Sequence, residues 1–101
     1  MNAAAEAEVD ALPRDMRARL IRFGDMIQAQ GIGIMREPYA KHLSGKLWEL
    51  RLTGRDGIAR SIYVTASGQR VIVLRTFVKK TQKTPPRELR IAMTRLKEIS
   101  E

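Results

Sequence analysis

The chain has 101 residues, 19 of them lysine or arginine and 11 aspartate or glutamate, for a formal charge of +8. That length accommodates one domain, residues 1–101, with a modest core and no second domain. The absence of cysteine and the single histidine, His42, exclude a disulfide framework, a cysteine-based metal site and a histidine-rich metal centre.

No apolar run approaches the roughly 20 residues of a membrane span, and the N-terminus lacks the basic start and apolar stretch of a signal peptide. A soluble, cytoplasmic protein is therefore expected. The charge is unevenly spread: residues 36–90 hold 13 lysines and arginines against 4 acids, whereas the rest of the chain is close to neutral. A field concentrated in this way suits a polyanion, of which nucleic acid is the commonest in a cytoplasm.

Residues 1–11 are alanine-rich and acidic and read as a short helical lead-in. Pro13 suits the first turn of a second helix, where its missing N–H has no partner to lose. Met16, Leu20, Phe23 and Ile27 then recur at helical spacing, giving an apolar stripe that ends near Gln30-Gly31. Arg14, Arg17, Arg19 and Arg22 occupy the other faces and read mainly as solvated charges. Residues 36–45 form a connection, broken by Pro38 and turned at Ser44-Gly45.

Three strand-like segments follow. Leu47 to Thr53 alternates, with Trp48, Leu50 and Leu52 facing a core and Glu49, Arg51 and Thr53 facing solvent or a ligand. Gly54-Arg55-Asp56-Gly57 is a tight turn whose Asp-Gly pair tolerates positive φ. Along Ile58 to Ala66, Ile58, Arg60, Ile62 and Val64 alternate with Ala59, Ser61, Tyr63 and Thr65, and either side can pack. Ser67-Gly68-Gln69 is a second turn. Arg70 to Phe77 is the most continuously apolar segment and is expected at the centre of the sheet. Turns this short impose an antiparallel meander. Thr84 then reads as an N-cap, with Pro85 in the first turn of a last helix. Leu89, Ala92, Met93, Leu96 and Ile99 form its apolar stripe. The fold class is thus α+β: a small antiparallel meander of three strands, with room for a fourth, flanked by N-terminal helices and a C-terminal helix.

Two runs carry a resemblance. Lys41-His42-Leu43-Ser44-Gly45-Lys46-Leu47-Trp48-Glu49-Leu50-Arg51, followed by Phe77-Val78-Lys79-Lys80-Thr81-Gln82-Lys83-Thr84-Pro85, resembles the phage-derived HigB-like branch of the RelE/ParE toxin superfamily. The likeness covers about residues 12–100. It implies the toxin of a type II toxin–antitoxin system that cleaves mRNA on the ribosome. It also implies partners: the ribosome, mRNA and a cognate antitoxin, commonly of the helix-turn-helix type. In that chemistry the ribose 2′-hydroxyl attacks the adjacent phosphate, and no cofactor or metal is required.

By position, the resemblance makes Arg51, Arg60, Lys79 and Lys80 the catalytic cluster, with guanidinium groups stabilising the phosphorane. His42 and Glu49 are acid/base candidates. Lys46, Arg75 and Lys83 would contact RNA, and Phe77 could stack on a base. Ordinary strand-surface charge, with Glu49 as an ion-pair partner, is the competing account of the cluster. The family's edge strand before the first helix has no counterpart here, which would leave a sheet edge for an antitoxin to cover. The ParE side shares the fold but inhibits DNA gyrase, and an inactive prophage remnant that only binds its antitoxin is a third reading.

Overall fold

A computed structural model describes residues 2–31, 39–66, 70–79 and 83–99. Three helices, α1 (Ala3–Asp10), α2 (Arg14–Gln30) and α3 (Pro86–Lys97), surround a sheet of β1 (Ala40–Ser44), β2 (Leu47–Gly54), β3 (Gly57–Ala66) and β4 (Arg70–Lys79). The strands pair antiparallel in the order β1-β2-β3-β4, a simple meander. Among the described residues no helix is long and apolar enough to cross a membrane.

The sheet is covered on both faces. Met16 and Phe23 of α2 pack with Leu50, Leu52, Ala59 and Tyr63 on one side. Ala92 of α3 packs with Leu47, Ile62, Val64 and Leu74 on the other, joined by Leu89 and Leu96. This double cover resolves the ambiguity of the second segment, since every residue from Ala59 to Val64 is buried. It also corrects two expectations. Glu49 does not face solvent, being only 1% exposed beneath the α3 side. Arg70 to Phe77 is not central: β4 is an edge strand, and its apolar continuity reflects helices above and below it rather than strands on both sides.

The β4 edge is occupied by α1. Asn2 caps that helix, its Oδ1 accepting from the Ala5 N–H at 2.8 Å. An eight-residue helix has little stability of its own, so tertiary contacts must hold it. Glu8 supplies them: its carboxylate accepts from the Thr76 N–H of β4 at 3.2 Å, from Arg95 of α3 at 2.8 Å, and from Arg75. A bulge between Ile62 and Tyr63 leaves Leu74 over between Val73 and Arg75, and Arg95 donates to the Leu74 carbonyl at 2.8 Å.

Elsewhere the local signals need adjustment. Ala40–Ser44, expected as part of a connection, is the fourth strand. The β2–β3 hairpin closes through Arg55-Asp56, with Gly57 at φ 148°, so the Asp-Gly signal holds. Its tip seats on the start of α2, where a Cβ on Gly54 would come within 2.8 Å of both Asp15 Oδ2 and Met16 Cγ. Thr84 does not cap α3: Pro85 takes the N-cap position and the Thr84 hydroxyl goes to Glu49. Met93, assigned to the apolar stripe, is 43% exposed. The turn at residues 67–69 lies outside the described residues, as do Lys80 and residues 32–38.

Candidate functional site

Hairpin register decides which charges meet. Because Gly54 pairs with Gly57, Arg51 of β2 falls directly opposite Arg60 of β3. Glu49 stands opposite Lys41 of β1 on one side and Ile62 of β3 on the other, and Arg60 stands opposite Phe77 of β4. All of these side chains project to the sheet face that carries α3.

Two cations directly opposed across a ladder repel, and burial increases the penalty. Glu49 offsets it. One carboxylate oxygen accepts from Arg60 and the other from the Thr84 hydroxyl, so a line of polar contacts runs Thr84–Glu49–Arg60 through an otherwise apolar layer. The ion pair is buried, with side-chain exposures of 7% for Arg60 and 1% for Glu49. Glu49 therefore does pair with an arginine, but its partner is Arg60 across the ladder rather than Arg51 on its own strand. With one carboxylate against two guanidinium groups, the trio retains one positive charge. The Nε–H groups of Arg51 and Arg60 are both buried and have no hydrogen-bond partner among the described residues. Unsatisfied buried donors on cations favour an incoming oxyanion, which would accept from them in a low-dielectric setting.

The remaining sequence-derived residues divide clearly. Lys79 ends β4 in register with Ile58, two pairs beyond Arg60 on the next strand, so its backbone stands diagonal to Arg60. Lys83 is exposed and immediately precedes Thr84. Lys46 is exposed in the β1–β2 turn. Phe77 shares the face of Arg60 and is partly buried against the α3-side core, so of its two readings, stacking on a base or packing inward from the end of an apolar strand, the structure favours the second.

Arg75 is likewise not an RNA-facing cation. It is committed to Glu8 of α1 and to Glu88 of α3. Burial works against its charge, but the hydrogen bonds it donates to Glu88 and Glu8 outweigh that and hold it more firmly protonated than an ordinary arginine.

His42 lies apart from the arginines. It pairs with Trp48, whose ring it meets edge-on at 5.1 Å, and so belongs to the α2 side of the sheet. Its Nε2–H donates to the Gly45 carbonyl at 2.8 Å, which leaves Nδ1 as the acceptor in the neutral ring. Glu49, with both oxygens engaged and no access to solvent, is unsuited to proton transfer. Neither acid/base candidate is thus brought to Arg51 and Arg60 in an available state.

Sequence reasoning missed Thr84 as a component of this site and Glu8 as the acid that gathers Arg75 and Arg95. Thr84 carried the opposite signal, because Thr before Pro-Pro is a strong capping pattern. Arg51 opposite Arg60, by contrast, follows from counting outward from a two-residue turn at Arg55-Asp56.

Comparison with known proteins adds one family. A family model described as Phage derived protein Gp49-like (DUF891) matches residues 7–97. No curated protein matches the chain.

Proposed function

The chain belongs to the phage-derived Gp49-like family, and on that premise we propose that it is the toxin of a type II toxin–antitoxin pair, cleaving mRNA on the ribosome. The observation that carries this reading is the registered pair Arg51 and Arg60 on the α3 side of the sheet, each with a buried Nε–H that has no partner among the described residues.

The reaction is an internal displacement. The 2′-hydroxyl oxygen bonds to phosphorus, the bond from phosphorus to the 5′-oxygen of the next nucleotide breaks, and a 2′,3′-cyclic phosphate and a 5′-hydroxyl result. One proton leaves the 2′-hydroxyl and one reaches the departing 5′-oxygen. Charge accumulates on the non-bridging oxygens of the phosphorane, where Arg51 and Arg60 supply fixed donors. Glu49 and Thr84 act as positioning residues that orient Arg60. With His42 on the other face and Glu49 engaged, proton transfer is assigned to Lys79 and Lys80, the remaining basic side chains of the sequence-derived cluster. The partner that silences the protein is an antitoxin that masks this basic face.

Primer extension on a reporter mRNA during brief induction tests the reading, run beside the Arg51→Ala, Arg60→Ala double variant. Discrete cuts within translated codons, absent in the variant, are expected. Intact mRNA together with inhibited gyrase supercoiling would overturn the nuclease reading and place the protein on the gyrase-inhibitor side.

A further inference from the structure

On the opposite face of the sheet, a groove of about 600 Å³ runs between α2 and the β2–β3 hairpin tip. Arg19 and Arg22, one turn apart on α2, line one wall, and Arg55 approaches from the hairpin. Among the described residues Asp15 is the only acid lining it, and its carboxylate already accepts from the backbone N–H of Arg55 at 2.6 Å and of Met16 at 2.9 Å. Those N–H bonds, Arg55's first and against a smaller effect of burial, hold the Asp15 carboxyl below its ordinary range, so it stays ionised; the Arg55 side chain also meets Asp56 at 3.7 Å in a pair open to solvent, which leaves it able to turn to a phosphate. Tyr39 also lines the groove. Its ring is half-exposed and is held edge-on by Phe23 at 5.5 Å.

We infer that this groove is a second nucleic-acid site, taking a single-stranded RNA segment with phosphates on Arg19, Arg22 and Arg55 and a base against Tyr39. The choice of RNA over an acidic protein segment rests on what the groove leaves open. Phe23, its largest apolar lining residue apart from Tyr39, is only 7% exposed and already spent in the core. Three arginines set around one exposed ring are what a strand of RNA takes, with phosphates on the cations and a base on the ring. The position also fits a substrate of the arginine pair, a point that rests on the proposed nuclease reading. The Tyr39 carbonyl accepts from the Arg51 N–H at 3.0 Å, so one stretch of main chain fixes both the stacking ring and a phosphate-binding arginine.

The test is fluorescence anisotropy with a labelled hexauridylate over a range of salt concentrations, on variants whose thermal melts match wild type. Arg19→Ala with Arg22→Ala should weaken binding about tenfold or more and reduce the salt slope by about 1.4, two phosphates at roughly 0.7 each for a single strand. Tyr39→Ala should weaken binding about fivefold or more with the slope unchanged, the mark of stacking rather than charge. Arg14→Ala, which removes a charge from the same helix outside the groove, should change affinity less than twofold. Groove variants that behave like Arg14→Ala would overturn the site. Hexaglutamate binding as tightly as the RNA, and depending on the same arginines, would also overturn it in favour of a protein partner. Hexauridylate binding that needs the groove while reporter mRNA stays uncut would sustain the groove and sink the nuclease reading. Cleavage with groove-independent RNA binding would do the reverse.

Discussion

Arg51 and Arg60 face each other across the β2–β3 ladder, and the carboxylate that allows them to do so, Glu49, is held from behind by Thr84. A like-charge pair in a buried layer is unfavourable for folding, so its presence needs a reason beyond stability. The proposed oxyanion is that reason, and the cost of keeping the pair without its counter-ion can be measured.

Removing one member of a buried ion pair strands the other. Glu49→Leu should destabilise the protein by about 3–5 kcal/mol in urea unfolding, because Arg60 would remain buried and charged. Replacing both members, Glu49→Leu with Arg60→Met, should recover much of that loss while abolishing the proposed mRNA cleavage. Equal destabilisation by the single and double changes would show that the ion pair is not coupled as the geometry requires.

Much of this arrangement was legible in the sequence, for identifiable reasons. Alternation along Leu47 to Thr53, the Asp-Gly turn and the stripe through Met16, Leu20, Phe23 and Ile27 are local signals, and each element formed where its signal lay. What local signals cannot carry is the identity of the covering layer. Glu49 read as exposed because an alternating strand looks the same whether its polar face meets water or a helix with a polar contact of its own. The continuity of Arg70 to Phe77 likewise reported burial on both faces and was silent on whether the strand had one neighbour or two. The Thr84 hydroxyl had two acceptable destinations, the α3 backbone and a carboxylate 35 residues earlier, and only the fold brings the second within reach.

The hairpin tip gives a pair of opposed glycine predictions. A Cβ on Gly54 would press on Met16 Cγ and on the Asp15 carboxylate that anchors the Arg55 N–H. Gly54→Ala should therefore lower stability by about 1–3 kcal/mol, as overpacking does. Gly24 lies within α2 with nothing within 4 Å of its would-be Cβ, so Gly24→Ala should raise stability by about 0.5–1 kcal/mol. Thermal melts of the two variants, moving in opposite directions, would check both contacts.

Acid should loosen the α1–β4–α3 junction. Burial pushes the Glu8 carboxyl up, but hydrogen bonds from Arg95, the Thr76 N–H and Arg75, with the charge of Arg75, hold it below its ordinary value of 4.5. A carboxyl with a depressed folded pKa adds stability that is present above 4.5 and is lost as pH falls through the lower folded value. The urea midpoint of the wild type should therefore fall between pH 5 and pH 3 by more than that of Glu8→Gln, which should already be less stable at pH 7. Parallel profiles for the two proteins would mean that Glu8 does not bind its three partners in solution.

At the alkaline end the controlling group is Tyr63, a β3 residue 2% exposed between the sheet and α2. Burial disfavours its phenolate and pushes its pKa up from 10.0 to about 12. The unfolded chain releases this proton near pH 10 while the folded chain keeps it, so folding stability should decline as pH rises from 10 towards 12. Absorbance near 295 nm should therefore show a phenol that ionises about two units late, and Tyr63→Phe should remove that late step. The same substitution should flatten the decline in stability above pH 10. An ordinary titration midpoint for Tyr63 in a protein that remains folded would mean that α2 does not close over this face of the sheet.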